Sequence, residues 1–251
     1  SPSVVLASGV SWAQQAPVFE EVLVTAEKRT ESLQNLSQAV TALSADDLES
    51  RQLNSFVDLS AIAPGVNVAK NEGFKTVITI RGIGNEANQN AIANPSVSYH
   101  LDGVYVASPF ALQTDFLDLE RIEVLRGPQG TLFGRNTTAG MVHISSRRPT
   151  EETEGYVRAN LGDLGTRNIE AAIGGTIIED QLMARVSILH QNRDNWVDNG
   201  FTQQDDVMGG FDIFAIRFQA LFTPSDDFSM LFLHQRQDQD GNSASFFRAN
   251  V

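Results

Sequence analysis

From about residue 155 onward the chain alternates apolar and polar residues with a period of two, segment after segment. Val157, Ala159 and Leu161 oppose Arg158 and Asn160; Ile169, Ala171, Ile173 and Ile177 oppose Asn168, Glu170 and Gly174. Leu182, Ala184, Val186 and Ile188 oppose Arg185, Ser187 and Gln191, and Phe214, Ile216, Phe218, Ala220 and Phe222 oppose Arg217 and Gln219. A fifth segment carries Phe228, Met230 and Phe232, with Leu231 and Leu233 beside them. Successive side chains of a strand point to opposite faces, so the pattern predicts strands with one continuous apolar side. The segments run roughly 8–11 residues, close to the ~9–11 that a tilted strand needs to cross a bilayer.

The connections narrow the choice. Ile178-Glu179-Asp180-Gln181 and Thr223-Pro224-Ser225-Asp226-Asp227 are tight, whereas a long polar loop runs from about Asn192 to Gly210. Short turns on one side and long loops on the other are the habit of outer-membrane barrels. Phe222 and Phe228 flank the second turn with outward parity, where an aromatic girdle is expected. A soluble sandwich also alternates, but the short–long–short rhythm favours a barrel wall.

Composition removes other classes. The net charge is −13 and only three lysines occur among 251 residues, with Arg147-Arg148 the longest basic run. That excludes a phosphate-neutralising stripe, and with it a nucleic-acid partner. The chain has no cysteine, so disulfides, thiolate catalysis and zinc-thiolate sites are all absent. No apolar run reaches the length of a membrane-spanning helix, but strands that close into a barrel can also span a bilayer. At the N-terminus, Val4-Val5-Leu6-Ala7 and Val10 precede Ser11-Trp12-Ala13 and Gln14-Gln15. This has the form of an export-signal tail with small residues at its cleavage site, so residues 1–13 are expected to be a signal-peptide remnant.

Between these ends lie two further textures. Residues 14–31 hold an alternating patch, Glu21-Val22-Leu23-Val24-Thr25-Ala26, followed by Glu27-Lys28-Arg29. Residues 32–149 read as mixed α and β. Ser44-Ala45-Asp46-Asp47 has the capping-box form, with Leu48 and Leu53 expected on the helix behind it. Ser55 is placed to cap a second short helix that stops at Pro64-Gly65. Thr76 to Ile80 and Ile122 to Leu125 are strand-like, and Val97 to Val106 reads as a hairpin around Asp102-Gly103.

The stretch from Asp118-Leu119-Glu120-Arg121-Ile122-Glu123-Val124-Leu125-Arg126-Gly127-Pro128-Gln129-Gly130 through Thr131-Leu132-Phe133-Gly134-Arg135-Asn136 to Gly140 resembles the plug-domain signature of TonB-dependent outer-membrane receptors. Ile80-Arg81-Gly82, Leu101-Asp102-Gly103-Val104-Tyr105 and Ser145-Ser146-Arg147-Arg148-Pro149 stand in the family's order around it. The resemblance implies a 14–31 TonB box and linker, a 32–149 α+β plug, and at 150–251 an incomplete antiparallel transmembrane β-barrel. About five strands are present where such transporters close a barrel of about 22 around the plug; the chain therefore reads as truncated at both ends.

The same resemblance implies the roles of particular residues. Glu21, Val22, Leu23, Val24, Thr25 and Ala26 are similar to the TonB box, and an extended segment of this kind can add as a strand to a partner's sheet edge. Arg81 and Arg126 match plug arginines that pair with barrel glutamates as a latch. Asn85, Asn88, Gln89, Asn90, Phe110 and Gln113 fall on loops expected to face the ligand. Gly82-Ile83-Gly84-Asn85-Glu86-Ala87 fits a loose dinucleotide pattern, but the polar Asn88-Gln89-Asn90 that follows is no amphipathic helix. His100, His143, His190 and His234 are scattered and lack ligand spacing, so no metal site is expected. Neither a nucleophile–base pair nor a carboxylate dyad stands out, so neither an enzyme nor a cofactor is expected. The implied partners are TonB with its inner-membrane energising complex, outer-membrane lipid, and a small ligand such as a ferric siderophore. Cobalamin, carbohydrate or aromatic substrates remain open, as does a non-transporting surface protein for adhesion.

Overall fold

The computed structural model describes residues 23–24, 31–32, 39–51, 53, 55–71, 75–84, 95–107 and 117–241. It opens with a short antiparallel pair, β1 (Leu23–Val24) and β2 (Glu31–Ser32), in which Leu23 pairs with Ser32 and Val24 with Glu31. Strand β3 (Ala39–Ser44) then runs straight into α1 (Ala45–Ser50). Ser44 is the N-cap: the Asp47 amide donates to its Oγ (3.2 Å), and the Asp47 carboxylate accepts from its amide (3.1 Å). The helix is shorter than expected. It stops at Ser50, and Leu53 lies beyond it, returning its amide to Leu48 O (2.8 Å) so that both leucines are still buried.

Ser55 caps a 3-10 turn (Phe56–Asp58) in the same manner, with the Asp58 carboxylate accepting from both its amide and its hydroxyl. The turn runs into α2 (Leu59–Ile62), which ends before Pro64-Gly65 as the sequence requires. An antiparallel ribbon follows, β4 (Val66–Asn71) with β5 (Lys75–Ile80). Next come β6 (Val97–Leu101) and β7 (Val104–Tyr105), joined through Asp102 and Gly103 at φ 50° and 81°. Both central residues of a type I′ hairpin need positive φ, and this pair tolerates it. Strand β8 (Leu119–Arg126), α3 (Gly130–Phe133) and β9 (Gly140–Ser146) complete an inner sheet of order β3-β8-β9-β6-β7. Only the β6–β9 pairing in it is parallel. Leu43, Ile122, Val124, Val142, Ile144 and Tyr99 line its main apolar face beneath Leu48, Phe56, Leu59, Val66 and Val68.

The second sheet is the wall. It contains β10 (Glu154–Leu161), β11 (Arg167–Ile178) and β12 (Leu182–Arg193). After a loop ribbon of β13 (Val197–Asn199) and β14 (Gln204–Met208) it continues with β15 (Phe211–Ser225) and β16 (Phe228–Gly241). The order β10-β11-β12-β15-β16 is a simple antiparallel meander, open at both edges. The loop expected to be plain polar chain thus carries its own short ribbon. Strand lengths also exceed the alternating segments: β15 has 15 residues and β16 has 14. The extra length is polar. Past the apolar band, the outward positions hold His190, Asp212, Arg236 and Asp238, and ladder pairing continues there unchanged. Within the band Val157, Ile169, Ile173, Phe214, Phe218, Phe228, Met230 and Phe232 all face outward and are exposed.

Candidate functional site

The opposite face of the wall is polar, buried and occupied. On β12 and β15 the inward positions include Arg185 and Ser187 on one strand and Arg217 and Gln219 on the other, and all four are buried. The register pairs Arg185 with Gln219 and Ser187 with Arg217, so the four side chains form one contiguous block. Against this block lies Leu117-Asp118, the entry to β8 on the inner sheet.

Asp118 is the centre of the contact. Arg185 grips its carboxylate with a fork, Nε to Oδ2 at 2.6 Å and Nη2 to Oδ1 at 2.8 Å, both side chains being 1% exposed. The Ser187 hydroxyl donates to Oδ2, and the Tyr156 hydroxyl approaches Oδ1 at 3.3 Å. The Asp118 amide donates to Glu170 Oε1 (2.8 Å), which also accepts from Tyr156 (2.5 Å). Arg185 reaches Glu154 Oε1 with its remaining nitrogen at 2.9 Å. Next to it, Arg217 donates through Nη1 to the Leu117 carbonyl (2.8 Å) and through Nε to Gln235 (2.9 Å). Gln219 donates to Ser146 Oγ at 2.7 Å, and Ser146 in turn donates to Asp102 (2.8 Å). A small apolar cluster of Leu117, Leu189 and Ala215 closes the contact.

Burial alone would raise the Asp118 carboxyl, but the hydrogen bonds from Arg185 and Ser187 and the charges of Arg185 and Arg147 outweigh it and hold the group below its ordinary value. Removing one member of such a buried pair costs about 3–5 kcal/mol, because a bare charge is left behind. The second tie between the sheets is weaker in kind. Arg158 meets Glu49 of α1 at 2.9 Å, but both are substantially exposed, which limits such a pair to about 0–1 kcal/mol. Beside it a cleft of about 510 Å³ separates α1 from the wall, lined by Leu48, Glu49, Leu119, Arg158, Asn168 and Leu189. The inner sheet is therefore seated firmly at the corner where β8 begins and β9 ends, and lightly at α1.

The residues singled out by sequence fall in three places. Leu23 and Val24 form β1, while Glu21, Val22, Thr25 and Ala26 lie outside the described residues. Arg81 and Arg126 come together at one turn: the Arg81 amide donates to Gly65 O (2.6 Å) and Arg126 Nη1 to Pro64 O (3.2 Å). Asn85, Asn88, Gln89, Asn90, Phe110 and Gln113 lie outside the described residues. His100 and His143, far apart in sequence, are register partners on β6 and β9, and His143 Nδ1 lies 3.2 Å from Glu123. Among the described residues no group of three or more His, Cys, Asp or Glu is placed to hold a metal ion.

Asp118 was legible only as the head of a motif, not as a contact. The available signal was parity: an arginine on the inward face of a wall strand needs a partner from whatever fills the lumen.

Residues 32–141 match the family model of the TonB-dependent Receptor Plug Domain. The chain is 30% identical over 211 residues to the pesticin receptor of Yersinia enterocolitica, covering 81% of this chain and 30% of that protein. It is 30% identical over 159 residues to the iron-regulated outer membrane virulence protein of Vibrio cholerae, covering 60% of this chain and 24% of that protein. The crystal structure of the ferric yersiniabactin uptake receptor from Yersinia pestis superposes with a TM-score of 0.73 at 26% identity, over 80% of this chain and 32% of that one. The chain thus spans about 30% of the length of the first curated relatives it matches. Inner sheet, open antiparallel wall and sequence likeness agree, and the chain belongs to the TonB-dependent receptors, as a plug domain followed by five strands of an incomplete barrel wall.

Proposed function

We propose that this chain is the gating part of a receptor that takes up a ferric siderophore or another iron complex across the outer membrane of a Gram-negative bacterium, energised by TonB. The observation that carries the reading is the seat itself: a plug sheet held by buried polar contacts against the lumen face of a wall whose other face is apolar. The relatives named for ferric yersiniabactin uptake and for iron regulation support the choice of ligand class. In this reading the plug occupies 32–149 and the wall begins at 150. The long loop carrying β13 and β14 lies outside the cell, and Glu21 to Ala26 forms the TonB box in the periplasm. Arg81 and Arg126, gathered at Pro64-Gly65, serve as the second latch toward barrel carboxylates. Asn85, Asn88, Gln89, Asn90, Phe110 and Gln113 face the ligand.

The β1–β2 pairing supports the TonB box, since Leu23 and Val24 already use their backbone as an added strand. Binding TonB then exchanges one strand partner for another. The test is a peptide spanning 20–26 titrated against the C-terminal domain of TonB. It should bind, and Val24→Pro should abolish binding by removing a backbone donor. In the full-length receptor the same substitution should abolish accumulation of iron supplied as ferric yersiniabactin or as another ferric siderophore that the parent takes up. Unchanged accumulation of a transported probe would sink the proposal.

A further inference from the structure

The two arginines at the seat do not have equal partners. Arg185 is shared between Asp118 and the half-exposed Glu154. Arg217 is 2% exposed, yet it donates to neutral oxygens, Leu117 O and Gln235 Oε1. The plug's contributions to this block are the Asp118 carboxylate and the Leu117 carbonyl, from adjacent residues where β8 begins, and Ser146 Oγ beside them where β9 ends. The donors belong to the wall: Arg185 and Ser187 on β12, Arg217 and Gln219 on β15, locked in register by the ladder. If that corner of the plug lifts, the acceptors leave together and the donors stay. Two guanidinium groups in a lumen then lose their desolvated partners at once, and an uncompensated buried charge is costly. A planar fork of N–H groups is also the arrangement that best matches a carboxylate.

We propose that Arg185, Ser187, Arg217 and Gln219 form an anion cradle in the wall, filled by Asp118 while the plug is seated and open to a carboxylate-type oxyanion once Asp118 withdraws. In transport, which rests on the receptor reading above, the cradle is a way-station for an anionic ligand beneath the plug. Asp118 is then a placeholder carried by the plug, and the ligand competes with it for the same donors.

Backbone geometry supplies a clean variant. Asp118 sits at φ 48°, a left-handed conformation that glycine adopts without strain, so Asp118→Gly removes the carboxylate and leaves the turn relaxed. The probe is formate, the smallest carboxylate, added in excess to the full-length receptor in nanodiscs. The readout is maleimide labelling of Ala215→Cys as the sole cysteine, since Ala215 is fully buried under Leu117 and becomes reachable only when this corner opens. Asp118→Gly should raise the labelling rate by about tenfold or more, the scale expected when a buried pair is broken. Formate should bring it back toward the parent rate, whereas chloride at equal ionic strength should not. Adding Arg185→Met or Arg217→Met should remove the formate effect. Asp118→Asn, which fills the same space with a neutral amide, should stay insensitive to formate.

The proposal is overturned if formate protects Asp118→Gly no better than chloride does, or protects it equally with and without Arg185→Met. Asp118→Ala, prepared in parallel and in formate throughout, gives the same comparison should the glycine variant fold poorly. Formate protection in a receptor with no TonB-dependent uptake keeps the cradle and rejects the function proposed above. Uptake without protection does the reverse.

Discussion

At Asp118 two large costs oppose each other, and the donors win. Its carboxyl is held below the ordinary value, so the stabilisation it brings is fully present above the unfolded carboxylate value of about 3.9 and fades only as pH falls from there through the lower folded value. Labelling of Ala215→Cys, taken relative to a freely exposed cysteine at each pH, should therefore stay constant from neutral pH to about pH 4 and rise only below that. Arg185→Met should destabilise the seat by roughly 3–5 kcal/mol and move that rise to higher pH, because burial then acts on the carboxyl without its main counter-charge. In denaturant titrations that read both variants, Glu49→Gln at the exposed pair should cost less than about 1 kcal/mol. An equal cost at both sites would mean that the seat is not where the plug is held. Parity alone made Arg185, Ser187, Arg217 and Gln219 legible as a polar inward face. Their partner was not legible, since Asp118 lies 67 residues upstream of Arg185 and no periodicity links two sheets.

Among the elements, those with one wet or lipid-facing side were the most readable, whereas the buried β5, β6 and β8 were marked by apolar and β-branched runs and by turn residues rather than by alternation. The wall strands announce themselves because Phe214, Ile216 and Phe218 alternate with Ala215, Arg217 and Gln219 across two different environments. In the full-length receptor a lipid-phase quencher should reach fluorophores on cysteines introduced at 214, 216 and 218, and should miss those at 217 and 219. The two inward positions lie under the plug, so water-soluble maleimide should reach them slowly until the plug lifts. Quenching at 217 and 219 would place the register one residue off, which inverts the whole face. By contrast β9, Gly140 to Ser146, is buried at every position and shows no alternation, so only its motif context marked it. Its first residue is constrained for a local reason. Gly140 has φ 151°, and a Cβ there would run into the Leu125 carbonyl of the neighbouring strand, so nothing larger fits between β8 and β9 at that point. The capped turns at Ser44 and Ser55 were legible because a capping box is complete within four residues. The end of α1 was not: Leu53, expected on the helix, is buried from a turn beyond it.

The whole molecule divides its apolar surface unevenly, and that sets what each part can do alone. The main core is built from Leu43 to Ile144 without any wall residue. Among the described residues, the wall's Leu189 and Ala215 cluster with Leu117 at the seat. The wall itself is a single layer whose outward residues, from Val157 to Phe232, are exposed, and whose edge strands β10 and β16 offer unpaired backbone. One sheet with one apolar face and two open edges has no way to bury itself in water. Expressed separately, residues 32–149 should therefore give a monomeric, soluble domain with a dispersed amide spectrum. Local broadening is expected near Leu117, Asp118 and Ser146, where the wall's donors are missing. Residues 150–251 should aggregate in water or give a collapsed, poorly dispersed spectrum. Detergent should relieve the aggregation without producing the register seen here, because the lumen face of Arg185 and Arg217 then has no Asp118 to neutralise it. A monomeric, well-dispersed spectrum from 150–251 in plain buffer would contradict the lipid-facing assignment of the wall and favour a soluble β-protein.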